Sequence, residues 1–407
     1  MNENIEIIAG GICAVSDVKA NGVRSGKYGL TIISFPKSNV AGVFTTNKIV
    51  AAPVIHTKEI IKNNKISAIV ANSGNANCFT GNNGLNDCQE MIKSTSFGLN
   101  ITEDEIAIAS TGVIGRKMPM DIINELIKEN IPKLENSNEA SINSAKAIMT
   151  TDTFYKEFAV EIKLNNGEKV KIGAICKGVG MIAPNMATLL CFIATDAKIE
   201  DEQALKNSLK IAVNKSLNML VVDGDESTND EVLLIATGKV NVLNDNVIDS
   251  NFQEGLNFLA VSLAKMMATD GEGATKFLEV TVTGASTEED AKLVSKSVIS
   301  SSLVKTAVFG EDPNWGRIVC AMGYSGADFN PDNVSISISA GETGVYLVKN
   351  SEILGFQGTE NLLKAEEIMK NDEIKIYIDL HLGNEKATAF GCDLSYDYVK
   401  INAEYTS

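Results

Sequence analysis

The sequence predicts an α/β protein built as α+β layers, with β-sheets covered by helices. Short apolar runs with the period of strands are mixed with longer stretches of helical period. Strict β-α-β succession is infrequent, which argues against a doubly wound sheet. The 407 residues, 44% hydrophobic and 22% charged, have ordinary globular composition and suffice for a large buried core. No short repeat, low-complexity tract or proline-rich linker breaks the chain.

Residues 28–34, 40–45, 66–71 and 106–109 read as strands. Residues 85–97, 118–129 and 138–148 read as helices, with Pro119 just inside the second, where a missing N–H costs nothing. Runs 158–164 and 170–176 flank Asn165-Asn166-Gly167 and predict a hairpin. A strand over 188–195, a helix over 201–218, a strand over 232–237 and a helix over 252–267 follow. Residues 277–283 and 374–380 alternate as strands do, and 288–300 is helical. The best candidate for a domain boundary is 283–290, which would set off a C-terminal subdomain over 284–407.

Charge and rare residues narrow the function. The formal net charge is −16, with +1 over residues 1–187 and −17 over 188–407. Such a chain disfavours phosphate backbones and anionic membranes as partners, though local cations still admit a small charged substrate. The seven cysteines are odd in number and contain no CxxC spacing, so they read as reduced thiols of a cytoplasmic protein. Cys78 and Cys88 could in principle pair. The first residues carry no basic region, so no signal peptide is expected, and no apolar run approaches membrane-spanning length. Only two histidines occur, His56 and His381, far apart. A histidine-rich metal site is excluded, and a general base of another kind is expected.

The most unusual segment runs Lys177-Gly-Val-Gly-Met-Ile-Ala-Pro-Asn-Met-Ala187-Thr188 into an apolar run. One reading is a surface loop entering a core strand, with Thr188 as its β-branched starter. The other is self-cleavage: the Thr188 hydroxyl attacks the Ala187 carbonyl, and water releases Thr188 as a new N-terminus. Its freed α-amine, with an ordinary pKa of roughly 8, would be the missing base. Gly178-Val179-Gly180 lacks the remaining features of a phosphate loop.

Other segments admit paired readings. Ser110-Thr111-Gly112 follows a strand and either turns the chain or presents donors to an oxyanion. Ala71 to Asn77 is a loop near a site or an Asx-turn. Met149-Thr150-Thr151-Asp152-Thr153 clusters hydroxyls at a helix end, where capping is the usual cause. Asp223 to Asp230 fails as an EF-hand, since Thr228 and Leu234 occupy the glycine and final glutamate positions, and reads as a polar turn. Glu272, between Gly271 and Gly273, is expected to be exposed and suited to a substrate amine. Asp312 to Arg317, around the only tryptophan, reads as a packed turn capping a helix.

Taken in order, Lys-Gly-x-Gly-Met-Ile-Ala-Pro-Asn-Met-Ala-Thr, Thr-Gly-Val-Ile-Gly, Met-Thr-Thr-Asp-Thr, Asp-Gly-Glu-Gly-Ala-Thr-Lys and Asp-Pro-Asn-Trp-Gly-Arg resemble the ornithine acetyltransferase (glutamate N-acetyltransferase, ArgJ) family of arginine biosynthesis. The resemblance covers essentially the whole chain and favours self-cleavage over the bland reading of Thr188.

The resemblance implies cleavage between Ala187 and Thr188 into an α chain, 1–187, and a β chain, 188–407. It implies Thr188 as nucleophile, Thr111 and Gly112 as oxyanion hole, and Thr150, Lys177, Thr188, Glu272, Asn402 and Ser407 as substrate contacts. Relatives often end in threonine where this chain ends in Ser407, which keeps the hydroxyl; Val179 is a second, minor departure. The implied fold is the ArgJ/DmpA type, sheets sandwiched between helices, in a self-processed enzyme of N-terminal-nucleophile character. The implied reaction is ping-pong transfer of acetyl from N2-acetylornithine to glutamate, with no metal or organic cofactor; some relatives are multifunctional and also take acetyl from acetyl-CoA, others only recycle, and no motif here decides between them. The implied assembly is a dimer of αβ units. Two other classes stay open at this point: a self-processed aminopeptidase of the same fold, and a non-enzymatic oligomeric protein.

Overall fold

The computed structural model describes residues 3–183, 189–244 and 247–404. Packing divides the chain into two compact units. The first comprises Met1–Gly178, Asn185–Asn214 and Glu226–Leu263; the second comprises Val179–Pro184, Lys215–Asp225 and Ala264–Ser407. Each draws on sequence from both sides of the Ala187–Thr188 bond.

The first unit is built on a nine-stranded sheet. Its order is Ile5–Ile7, Lys156–Lys163, Lys169–Lys177, Leu190–Lys198, Glu231–Asn241, Tyr28–Phe44, Lys65–Asn75, Ile106–Val113, with Lys19–Ser25 beside Tyr28–Phe44. The two runs expected at 28–34 and 40–45 are one strand. Its register shifts between Ser34 and Ser38, around Pro36, whose missing N–H interrupts the ladder. The strand pairs with Lys65–Asn75 on both sides of the shift, Ser38 and Asn39 facing Ile66 and Lys65, and from Asn39 onward it also pairs with Glu231–Asn241.

That irregularity lets the sheet fold over its own core. Ile33, Ile69, Ala71, Ala107 and Ala109 from one half share a buried apolar cluster with Ile175, Phe192, Ala194, Leu233 and Ile235 from the other. The opposite face of the Lys65–Asn75 and Ile106–Val113 pair is covered by helices Ala52–Ile60, Gly81–Leu99 and Met120–Asn130, through Ala52, Met91, Ile92, Ile123 and Ile127. Pro119, expected inside the last of these helices, is its N-cap. The predicted hairpin around Asn165 to Gly167 is present, pairing Lys156–Lys163 with Lys169–Lys177.

The second unit carries a seven-stranded sheet in which Phe277–Ala285 lies between Glu373–Asp379 and Glu385–Cys392. Helix Glu288–Ser300 covers it with Ala291, Val294, Val298 and Ile299. Its start is fixed by Thr287, whose hydroxyl accepts the Asp290 N–H. Residues 283–290 join strand to helix inside this unit. The turn Asp312 to Arg317 caps a helix as expected: Asn314 accepts the Arg317 N–H, and the Trp315 indole donates to the Gly355 carbonyl at 2.7 Å. The described residues include no helix long and apolar enough to cross a membrane. All seven cysteines are free thiols, so Cys78 and Cys88 are not bridged.

Candidate active site

Thr111 and Gly112 stand at the end of the strand Ile106–Val113, within the ladder rather than after it. Thr111 is buried. Gly112 has φ 133°, and a Cβ there would lie 2.4 Å from the Gly74 carbonyl carbon and 2.5 Å from the Asn75 nitrogen. Only glycine fits so close a backbone approach. The neighbouring loop holds this strand end in place. The Ser110 hydroxyl donates to Asn72 Oδ1 at 2.6 Å, and Asn75 Oδ1 accepts the Asn77 N–H at 2.8 Å, the Asx-turn weighed above.

Lys177 ends the strand Lys169–Lys177, opposite Leu190. Its ammonium is buried and donates to the Thr150 hydroxyl at 2.9 Å, so these two predicted substrate contacts meet. Asp152 organises them. One of its oxygens accepts the Thr150 N–H at 3.0 Å and lies 3.9 Å from the Lys177 ammonium. The other accepts from the Lys156 ammonium at 2.8 Å and from the Gly178 N–H at 3.1 Å. Burial alone would raise the Asp152 carboxyl, but Lys177 and Lys156 outweigh it and hold the group at about 2. Two lysine charges thus face one carboxylate in a buried cluster, which leaves a surplus of positive charge suited to a carboxylate ligand.

Asn229 and Asp230 connect this region to the Thr111 strand. The Asn229 amide donates to the carbonyls of Ser110 at 2.9 Å and Ala76 at 2.6 Å. Asp230, fully buried, accepts the Leu189 N–H at 3.0 Å, so the residue that follows Thr188 is tethered to the immediate neighbour of Asn229, which contacts Ser110. Burial pushes the Asp230 carboxyl up to about 8, against the pull of the Leu189 amide, the Ser227 hydroxyl and Lys177.

Glu272 and Asn402 meet within the second unit, where the Asn402 amide donates to Glu272 Oε2 at 2.9 Å. Glu272 is half-buried rather than exposed, because its own N–H is tied to the Val179 carbonyl at 2.7 Å and its carboxyl fills the space left by Gly180. Ala187, Thr188 and Ser407 lie outside the described residues. His56 Nε2 lies 3.3 Å from the Ile106 carbonyl, and His381 Nε2 lies 2.9 Å from the Ser335 hydroxyl.

Sequence reasoning missed Asp152 and Lys156, hidden in a stretch that also looks like helix capping. It also missed Asn229 and Asp230, grouped with a polar turn. The available signal was the step from Ser-Thr-Asn-Asp directly into Glu-Val-Leu-Leu-Ile, which sets a carboxylate at the mouth of a core strand.

Residues 15–407 match the model of the ArgJ family. A glutamate N-acetyltransferase of Methanothermobacter thermautotrophicus is 53% identical over 403 residues, spanning 99% of this chain and 99% of that protein. One from Methanocaldococcus jannaschii is 54% identical over 407 residues, spanning 99% and 100%. Among solved structures, the arginine biosynthesis bifunctional protein argJ of Bacillus halodurans is 42% identical and covers 52% of this chain and 97% of that one, with a TM-score of 0.47.

Proposed function

The chain belongs to the ArgJ family, and from that premise we propose that it is a glutamate N-acetyltransferase of arginine biosynthesis that moves acetyl from N2-acetylornithine to glutamate through Thr188. The observation that carries the reading is the linkage Ser110–Asn229–Asp230–Leu189, which ties the oxyanion-type strand end to the residue after Thr188. Cleavage at Ala187–Thr188 frees the α-amine. That amine takes the hydroxyl proton as Thr188 attacks the acetyl carbonyl. Thr111 and Gly112 stabilise the tetrahedral oxyanion. Ornithine leaves, acetyl-Thr188 remains, and glutamate then takes the acetyl group, which gives ping-pong kinetics.

Lys177, with Thr150, suits the substrate carboxylate. Glu272, with Asn402, suits an amino group, and Ser407 supplies a further hydroxyl. The reading requires no metal or organic cofactor, and acetyl-CoA is an alternative acetyl donor in the same role. The two chains stay associated as a dimer of αβ units in the cytoplasm. A denaturing gel tests the first step: wild type gives two bands and Thr188→Ala one. Exchange assays with acetylornithine and glutamate test the second. Peptide hydrolysis without such exchange would instead identify an aminopeptidase of the same fold.

A further inference from the structure

The α-amine that serves acetyl transfer does not exist until the chain has been cut, so cleavage needs a base of its own. Both histidines have partners of their own: His56 is engaged with the Ile106 carbonyl, its basicity lowered by burial, and His381 with Ser335 and Asp379. We propose that Asp230 carries the proton of self-cleavage, taking it from the Thr188 hydroxyl and delivering it to the Thr188 nitrogen. This rests on the cleavage reading above and names the group that performs it.

The geometry lies within the first unit. Asp230 Oδ1 accepts the Leu189 N–H at 3.0 Å. Leu189 is joined directly to Thr188 by a peptide bond, so the Asp230 carboxylate is held on the residue next to the one that must be freed. Asp230 Oδ2 is buried and has no hydrogen-bond partner among the described residues. A buried polar atom so left is uncommon and asks for a role. The adjacent Asn229 amide grips the Ser110 carbonyl, next to the Thr111–Gly112 donors that would receive the oxyanion.

The surroundings suit a proton carrier. The charged groups that act on Asp230 are Lys177, at the end of the neighbouring hairpin, and Glu226 on its own turn; the Ser227 hydroxyl and the Leu189 amide complete the set. Burial outweighs them and raises the proton affinity of the carboxyl. A more basic carboxylate takes a hydroxyl proton more readily, and its acid form still yields that proton to an amine.

The step balances without another reactant. Ionised Oδ2 takes the Oγ1 proton as Oγ1 bonds to the Ala187 carbonyl carbon. The tetrahedral adduct collapses, the Ala187–Thr188 C–N bond breaks, and the same proton passes from Oδ2 to the departing nitrogen. An ester and a free α-amine result, and the carboxylate is restored. Water then hydrolyses the ester, giving the Ala187 carboxyl and the free Thr188 hydroxyl.

The test follows cleavage on gels after cell-free synthesis of the full chain, transferred to buffers spanning pH about 6 to about 10. The base must start ionised, so the wild-type rate is expected to rise with pH through about 8 and then level. Asp230→Asn keeps an acceptor for the Leu189 N–H but takes no proton, and is expected to cleave at least ~100-fold more slowly. His56→Ala is expected to cleave at the wild-type rate. A pH-independent wild-type rate overturns the inference even if Asp230→Asn fails to fold. A folded Asp230→Asn chain that cleaves like wild type overturns the inference alone. A wild type that never cleaves overturns the cleavage reading and the inference with it.

Discussion

Neutralising Asp152 gives the sharpest measure of the buried charge cluster. Asp152→Asn keeps the shape of the side chain but removes the charge that faces Lys156 at 2.8 Å and Lys177 at 3.9 Å. The carboxyl is held at about 2 against an ordinary 3.8, which corresponds to roughly 2–3 kcal/mol. Leaving two buried ammonium groups without their counter-ion costs about 3–5 kcal/mol. Taking the lower end, the thermal transition of a unit of this size falls by roughly 6–12 °C at neutral pH. The sign with pH is fixed. A depressed carboxyl contributes stability that is complete above its unfolded pKa of about 3.9 and is lost as pH falls toward about 2. Calorimetry of wild type and variant from neutral pH downward should therefore show a gap that closes below pH about 4. A variant within 1 °C of wild type at neutral pH, or a gap unchanged at pH about 3, would refute the reasoning.

Further outcomes follow from the same geometry. Gly112→Ala forces a Cβ to 2.4 Å from the Gly74 carbonyl carbon, so steady-state assay should show kcat reduced about 10²–10³-fold in a folded chain. Lys177→Met should raise KM for glutamate by about 10–100-fold, the worth of one buried charge-assisted hydrogen bond, while the acetyl-Thr188 adduct still forms at high donor concentration. His56→Ala and His381→Ala should leave acetyl transfer intact once folded and cleaved; a lost chemical step in either would show that a histidine is the base. Glutamate assayed with acetyl-CoA as the donor should yield N-acetylglutamate, and complete inactivity would limit the enzyme to recycling from acetylornithine.

What the sequence disclosed, and what it hid, follows from range. Helix 138–148 is legible to the residue because Ser137 caps it locally, its hydroxyl accepting the Ala140 N–H. The alternation of the paired strands around Asn165 to Gly167 is equally local. Strand Tyr28–Phe44 reads as two runs because Pro36 and its polar neighbours interrupt the apolar pattern, while pairing with Lys65–Asn75 on both sides of the shift, a fact of tertiary structure, makes it one. Gly112 is a candidate from its motif, but its need for glycine appears only where the Gly74 backbone comes close. The ion pairs of Asp152 and the burial of Asp230 are invisible in sequence. The contacts of Asp152 with Lys177 and Gly178, and of Asp230 with Leu189, join segments separated by tens of residues, and a carboxylate in a polar run looks the same whether solvated or enclosed.

The central claim is a covalent acetyl group on Thr188. Protein incubated with N2-acetylornithine, quenched in acid and measured by intact mass should show one added acetyl on the chain that begins at Thr188. The chain that ends at Ala187 should show none. Adding glutamate before the quench should remove the group. An enzyme that exchanges acetyl steadily yet carries no such adduct, or that is active as an uncut chain, would contradict the account.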